Sequence, residues 1–244
     1  MMKRKTICYL PVFVLFIVFS LTLTIQSCNN GHSAEEAETI TPPSNWAERL
    51  GFPPGKKVLI LHADDIGMCE EATIAATRYL ENGNIQSAAG MPPCPDFENF
   101  IEWAKAHPDK DVGLHLTLTS EWKTYRWGPV SDPADVPSLI DPEGKLWHEV
   151  PDVLAHATPE DIEKEIRAQV EKSIALGYRP DHIDTHMGTL FAHLEYTKSF
   201  MKVAQEYGIP ANIIEVNNEE MANQFRKAGY PITEEFIAAS NSYT

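Results

Sequence analysis

The stretch Val58-Leu59-Ile60-Leu61-His62-Ala63-Asp64-Asp65-Ile66-Gly67 decides the fold that we expect for this chain. Four branched aliphatic residues run into a histidine, two adjacent carboxylates and a glycine. A short unbroken apolar run is typical of a strand that is buried on both faces, as in a parallel sheet. The two acids lie where such a strand leaves the sheet at its carboxyl end, the edge at which α/β folds carry their chemistry. We therefore expect a functional site at this edge.

Two later stretches have the same character, Gly113-Leu114-His115-Leu116-Thr117 and His182-Ile183-Asp184-Thr185-His186. Residues two apart on a strand share a face, so the two histidines and the aspartate of the second stretch point together. Polar groups on an interior face need partners, and a divalent metal ion is a suitable partner for imidazoles and carboxylates. We predict that the three strand ends converge on one divalent ion, Mg or Zn. The alternative is that each histidine is separately hydrogen-bonded in the interior.

Strand and helix signals alternate from Val58 onward, which predicts a parallel sheet or a (β/α) barrel. After the first strand we predict strands over 85–91, 112–118, 182–186 and 211–216, and helices over 70–82, 96–107, 194–207 and 219–228. The clearest helix begins after Thr158, which is typical of an N-cap, and is closed by Gly177. Its predicted buried stripe consists of Ile162, Ile166, Val170 and Ile174.

The alternation breaks between residues 120 and 157. This insertion contains Trp122, Tyr125, Trp127 and Trp147. Exposed aromatic rings beside a strand end are suited to stacking on sugar rings, so Trp122 and Trp127 are candidate substrate-binding residues. Packing of the same rings against the body of the domain is the alternative.

The first 27 residues have the pattern of an export signal. A basic segment, residues 3–5, precedes an uncharged apolar run over 10–23, and Ile25-Gln26-Ser27-Cys28 resembles a lipobox. We predict a lipoprotein signal peptide over 1–27, lipidation of Cys28, and a tether and lead-in over 28–56. The domain would then be exported and anchored by its lipid to a membrane, facing the periplasm or cell surface. A plain secretory signal and an uncleaved anchor are the alternatives, although the apolar run is short for a span.

Composition excludes one class of partner. The chain has 244 residues and a formal net charge of −15, with ordinary proportions of hydrophobic and charged residues. Nucleic acid binding requires clustered basic residues that neutralise phosphates, and this chain shows no basic stripe. We expect no nucleic acid partner, and a neutral substrate fits the composition better.

Three segments carry a resemblance to a known family. Residues 63–67, 113–119 and 180–186 resemble the three ordered motifs of the YdjC-like (ChbG/HpnK) carbohydrate deacetylases. The similarity extends from about Lys57 to the end of the sequence. It implies a distorted (β/α) barrel, a divalent metal ion, and hydrolysis of an N-acetyl group on a sugar, an oligosaccharide or a sugar-bearing lipid.

The resemblance also implies roles for individual residues. By motif position, the metal ligands are Asp65, His115 and His186, and the catalytic base is Asp64. Apart from the resemblance, Asp184 or His182 is a candidate to orient a metal ligand, and hydrogen bonding within the strand is the alternative for both. His62 stands where the family often has a different polar residue, and we assign it no role.

The chain departs from the family pattern in two ways. Family members have a further histidine followed by proline near a later strand, a candidate acid for the leaving amine, whereas no histidine follows His193 here. Only about five strands are predicted, against roughly eight in a complete barrel. We therefore expect a (β/α) barrel that is incomplete at its C-terminus.

Two other functions remain open at this point. A non-catalytic, membrane-tethered glycan-binding lipoprotein would keep the pocket but lack the acid. A non-haem iron oxygenase would use His182-Ile183-Asp184 as its iron-binding motif. That oxygenase needs an antiparallel double-sheet fold, which the helix-rich alternation argues against.

Overall fold

The computed structural model describes residues 46–214, residue 216 and residues 218–241. The chain divides into two compact units, 1–56 and 57–244. The predicted signal peptide and Cys28 lie outside the described residues and stay predictions. Among the residues that are described, no helix is both long and apolar enough to cross a bilayer. The described part of the first unit contains one short helix, α1 (Trp46–Arg49).

The second unit alternates strands and helices, as the sequence predicts. The strands in its described residues are β1 (His62–Ile66), β2 (Ser87–Gly90), β3 (Asp111–Leu116) and β4 (Ile183–Thr185). Its helices are α2 (Glu70–Glu81), α3 (Phe97–Ala106), α4 (Val150–His156), α5 (Pro159–Ala175), α6 (Leu194–Tyr207), α7 (Glu219–Lys227) and α8 (Glu234–Asn241). Short 3₁₀ segments lie at Pro137–Leu139 and His186–Phe191. Helices α4 and α8 were not predicted.

The strands form one parallel sheet in the order β1-β2-β3-β4. This α/β architecture is consistent with a distorted (β/α) barrel, and it excludes the antiparallel double sheet that the oxygenase alternative requires. In place of the strand predicted over 211–216, the described residues show a single parallel bridge between Ile183 and Ala211. Ile183 N–H donates to the Pro210 carbonyl at 2.9 Å, and Asn212 N–H donates to the Ile183 carbonyl at 2.8 Å.

The prediction for the first strand is wrong at its amino end. Residues 58–61 lie outside β1, and Leu59 and Ile60 are 78% and 63% exposed. Pairing with β2 begins at His62, opposite Ser87. The four aliphatic residues therefore precede the strand. In the described structure no other element covers them, so they are not buried as the residues of a central strand would be.

Helix α5 confirms most of its predicted features. The Thr158 hydroxyl accepts the N–H of Asp161 at 3.3 Å, which is an N-cap. Ile162, Ile166 and Val170 are fully buried. Ile174 is 42% exposed, so the stripe ends one turn earlier than predicted.

The same helix holds the end of β3. The Gln169 side chain accepts the Thr117 N–H at 2.9 Å and donates to the Thr117 carbonyl at 2.6 Å. The Glu165 carboxylate accepts the N–H groups of Val130 and Ser131, at 2.8 and 2.9 Å. Two buried polar side chains of α5 thus connect the strand that carries His115 with the insertion that follows it.

Candidate metal centre

The first carboxylates of the site are placed by an irregular backbone. Asp65 has φ of 58°, the left-handed region that non-glycine residues seldom occupy, and the pairing of β1 with β2 shifts between Ala63 and Ile66. Gly67 follows with φ of 82°, and a Cβ there would lie 2.7 Å from the Phe97 Cα. This turn interrupts the alternation of the strand, so the neighbouring side chains of Asp64 and Asp65 both approach His115.

Three side chains from three strand ends meet at this point. Asp65, His115 and His186 each offer one ligand atom, and these atoms all lie within 4.8 Å of one another. Asp65 Oδ1 lies 3.4 Å from His115 Nε2 and 3.0 Å from His186 Nδ1. The two imidazole rings lie edge to face, with centroids 5.1 Å apart. The three residues that the sequence predicts as ligands are therefore neighbours in space.

The other ring nitrogen of each histidine is held by a carboxylate. His115 Nδ1 lies 2.6 Å from Asp184 Oδ1, and His186 Nε2 lies 3.2 Å from Glu121 Oε2. A proton shared with the carboxylate leaves the opposite nitrogen with a free lone pair directed at the common point. This is the arrangement that metal-binding histidines usually have.

The charges of the site are strongly coupled. Burial alone would lower the pKa of His186, but Asp65 and Glu121 raise it to about 9. Burial alone would raise the pKa of Asp65 and of Asp184, but neighbouring imidazoles bring both below their ordinary values. The carboxylates thus stabilise positive charge between them, which is the electrostatic setting of a cation site.

The residues present fit a divalent ion. Asp65 Oδ1 is buried and has no hydrogen-bond partner, although it lies within 3.4 Å of two ring nitrogens. An unpartnered buried carboxylate oxygen is costly unless a cation or a water satisfies it. Two imidazole nitrogens and one carboxylate oxygen form a donor set that leaves further positions open, as catalytic metal sites do.

Asp64 lies beside this triad without belonging to it. Its Oδ2 is 3.9 Å from His115 Nε2, and its side chain is 63% exposed. A carboxylate that is open to solvent next to a cation site is available to exchange a proton with a bound molecule.

The other predicted site residues lie outside the Asp65 triad, at different distances from it. Asp184 contacts His115 as expected, whereas His182 Nδ1 pairs with Asp111 at 3.1 Å and contacts no predicted ligand. Trp122 is half exposed, but Trp127 is only 4% exposed and its indole N–H donates to the Thr119 carbonyl at 2.8 Å. The burial of Trp127 favours the packing alternative for this ring, and its role in substrate binding stays a prediction.

Sequence reasoning missed two residues near the site. Glu121 was read as part of an aromatic insertion, although it follows the end of the β3 segment and reaches His186. His62 was given no role, yet its Nε2 lies 3.2 Å from Asp184 Oδ2. The sequence does contain a signal for His62. It lies two residues before Asp64, so the two side chains are expected on the same face of the strand.

A family model described as YdjC-like protein matches residues 58–242. The chain belongs to this family. The match covers all three strand ends that supply Asp65, His115 and His186.

Individual relatives of this YdjC-like chain agree in name. A carbohydrate deacetylase of Brevibacillus brevis is 38% identical over 152 residues, which cover 62% of this chain and 57% of the relative. One from Thermus thermophilus is 31% identical over 160 residues, covering 66% and 54%. A crystal structure of an Enterococcus faecalis protein, named for cellobiose-phosphate cleavage, has a TM-score of 0.60 and 27% identity and covers 68% of this chain and 62% of that one. The YdjC-like chain thus spans a little over half the length of the two deacetylases.

Proposed function

We propose that this protein is a metal-dependent carbohydrate deacetylase that hydrolyses an N-acetyl group on a sugar or oligosaccharide. The observation that carries the proposal is the meeting of Asp65, His115 and His186 around one point, with the exposed carboxylate of Asp64 beside it. Family membership and the deacetylase relatives support the same reaction.

Each residue has a role in this reaction. Asp65 Oδ1, His115 Nε2 and His186 Nδ1 would hold the ion, and Asp184 and Glu121 fix the two rings through their other nitrogens. When bound, a divalent ion polarises an amide carbonyl and lowers the pKa of water. Asp64 accepts the proton of the attacking water, because its exposed carboxylate lies 3.9 Å from His115 Nε2, the ring nitrogen assigned to the ion.

Trp122 is our candidate for sugar binding in this reaction. Its indole is half exposed and it follows Glu121, which contacts His186. Aromatic faces bind the apolar faces of sugar rings. We expect Trp122→Ala to raise KM about tenfold with little change in kcat, and a fall in kcat at unchanged KM would contradict this role.

The experiment is acetate release from N-acetylglucosamine oligosaccharides by the purified chain supplied with Zn²⁺ or Mg²⁺. We expect Asp64→Asn to reduce release at least about 100-fold while metal binding is retained, since general base catalysis contributes roughly 10² to 10⁴. His115→Ala should lose the ion of the Asp65 triad and, with it, the activity. Asp109→Asn, which changes a largely exposed aspartate, is the matched control and should behave as wild type.

One result would overturn the proposal. If the metal-loaded wild-type chain releases no acetate from any N-acetylated sugar, or if Asp64→Asn releases it at the wild-type rate, the assigned chemistry is wrong.

A further inference from the structure

A second group of potential ligands lies nearer the amino ends of β1 and β4. His62, His182 and Asp184 each offer one ligand atom, and these atoms all lie within 4.8 Å of one another. None of the three belongs to the Asp65 triad. His62 begins β1 and His182 immediately precedes β4, so the group lies toward the amino ends of the strands.

The distances resemble those of the first triad. His62 Nε2 lies 3.2 Å from Asp184 Oδ2, compared with 3.0 and 3.4 Å between Asp65 Oδ1 and its two ring nitrogens. Tetrahedral zinc with ligands at about 2.1 Å places neighbouring ligand atoms roughly 3.4 Å apart. The spacing of this pair therefore admits a bound ion.

A group outside the triad anchors Nδ1 of each histidine. His62 Nδ1 is held by the Ser87 hydroxyl at 2.8 Å, and His182 Nδ1 by Asp111 at 3.1 Å. Such anchoring of one ring nitrogen is typical of metal-binding histidines. Of the two remaining nitrogens, His62 Nε2 contacts Asp184 within the triad.

One atom of this group is also unsatisfied. Within the described part of the chain, two buried side-chain polar atoms have no hydrogen-bond partner, Asp65 Oδ1 and His182 Nε2. Each candidate triad contains one of them. Such atoms are rare in folded proteins, and a bound cation is one of the partners that satisfy them.

The backbone around the group is adapted to it. A Cβ at Gly113 would lie 2.3 Å from His182 Nε2, so the His182 ring occupies space that only a glycine leaves open. The adjoining cavity has a volume of about 500 Å³ and is lined by His62, Ser87, Asp111 and His182 among others. This cavity is open to solvent and provides a route by which an ion enters.

We propose that His62, His182 and Asp184 form a second divalent cation site, separate from the Asp65 site and suited to Zn²⁺. Two imidazole nitrogens and one carboxylate oxygen favour zinc over magnesium, which prefers oxygen ligands. The ion would join β1 to β4, the first and last strands in the order of the described sheet. Asp184 would serve both sites, with Oδ1 on His115 and Oδ2 on the second ion. The proposal does not depend on deacetylase activity.

The test is the zinc content of the full chain after chelator treatment and equilibration with Zn²⁺. We expect two ions per chain in the wild type and one in His62→Ala. His115→Ala should also retain one, and the double variant none. His148→Ala removes a histidine of the insertion outside both triads and should retain two.

Gly113→Ala provides a second variant, in which none of the three ligand residues is replaced. Its methyl group would displace the His182 ring, so we expect one ion per chain and a smaller rise of the thermal midpoint on adding Zn²⁺. Circular dichroism establishes that each variant is folded before its metal content is compared. A zinc content that is the same in folded His62→Ala as in the wild type would overturn the second site.

Discussion

Asp65 combines two features that are unfavourable for stability. Its backbone is left-handed, with φ of 58°, and its Oδ1 is buried without a hydrogen-bond partner. A left-handed conformation costs a non-glycine residue about 1 kcal/mol relative to glycine. Strain of this kind is often found at functional sites, where the surrounding structure maintains it. Here it directs two consecutive carboxylates toward the same imidazole.

The strain at Asp65 predicts an inverted order of stability for two variants. Asp65→Gly and Asp65→Ala both remove the carboxylate and should both lose the ion at this site. Without metal, Asp65→Gly should be more stable than Asp65→Ala by about 1 kcal/mol, since only glycine adopts the positive φ without strain. Urea unfolding in the presence of a chelator measures the difference.

The neighbouring Ala63 supplies the control for that comparison. Its backbone is ordinary strand, so Ala63→Gly should lower stability by roughly 0.5 to 1 kcal/mol. If glycine is no better than alanine at position 65, the positive φ is not maintained in solution.

Replacing Glu121 measures how much the carboxylate beside His186 contributes to metal affinity. It holds His186 Nε2 at 3.2 Å, and loss of such a partner usually weakens metal affinity about 10- to 100-fold. We expect that loss for Glu121→Ala and a smaller one for Glu121→Gln. Competition with a chromophoric chelator in a His62→Ala background measures the Asp65 site alone. Glu220→Ala, at an exposed position, is the control, and equal affinities in the two alanine variants would exclude the role of Glu121.

At the scale of elements, the insertion is held together internally by a buried ion pair. Arg126 Nη1 lies 2.7 Å from Asp141 Oδ2, and both side chains are only 5% exposed. Asp141 Oδ1 also accepts the N–H groups of Glu143 and Lys145, at 2.8 and 3.0 Å. Arg126 donates in addition to the Ser120 carbonyl at 3.1 Å. This network fixes the segment that carries Glu121 and Trp122.

Removing the charge of Asp141 should be strongly destabilising. Breaking one partner of a buried pair costs about 3 kcal/mol or more when the other charge is left poorly compensated. Arg126 would keep only the exposed carboxylate of Glu143, 3.1 Å from its Nη1. We therefore expect Asp141→Asn to lower the free energy of unfolding at pH 7 by about that amount. Asp132→Asn, an exposed aspartate of the same insertion, should change it little.

The loss in free energy of unfolding caused by Asp141→Asn should depend on pH. Burial alone would raise the pKa of Asp141, but the backbone amides and Arg126 lower it below its ordinary value. A carboxyl with a lowered folded-state pKa stabilises fully above its unfolded pKa, about 3.9, and loses this contribution as pH falls through the folded value. The urea midpoints of wild type and variant should thus converge below about pH 4. A constant gap down to pH 3 would show that the charge is not the cause.

At the scale of the whole molecule, periodic patterns were predictable and long-range contacts were not. Helix α6 has its predicted bounds, because its cap, its apolar face and Gly208 are all local signals. The position of Trp127 and the reach of Glu121 depend on how the insertion folds back, which no local pattern encodes. The convergence of Asp65, His115 and His186 was accessible because the carboxyl ends of parallel strands share one edge.

The aliphatic run at 58–61 shows the limit of such reasoning. Its composition indicates burial, but composition does not specify a partner, and Leu59 and Ile60 lie exposed beside the first strand of the described sheet. Exposed adjacent aliphatic residues next to a strand promote self-association.

We therefore expect Leu59→Lys to raise the soluble concentration of the protein without lowering its thermal midpoint. No buried contact is lost, since Leu59 is 78% exposed. Leu50→Lys replaces a leucine that is 69% exposed in the other unit, outside this run, and should have a smaller effect. Centrifugation and thermal unfolding measure the two quantities. Lysine reduces the magnitude of the net charge from −15 by one, which by itself weakens repulsion between molecules. A gain in solubility would consequently come from the removal of apolar surface, whereas a fall in the thermal midpoint would mean that Leu59 is packed in solution.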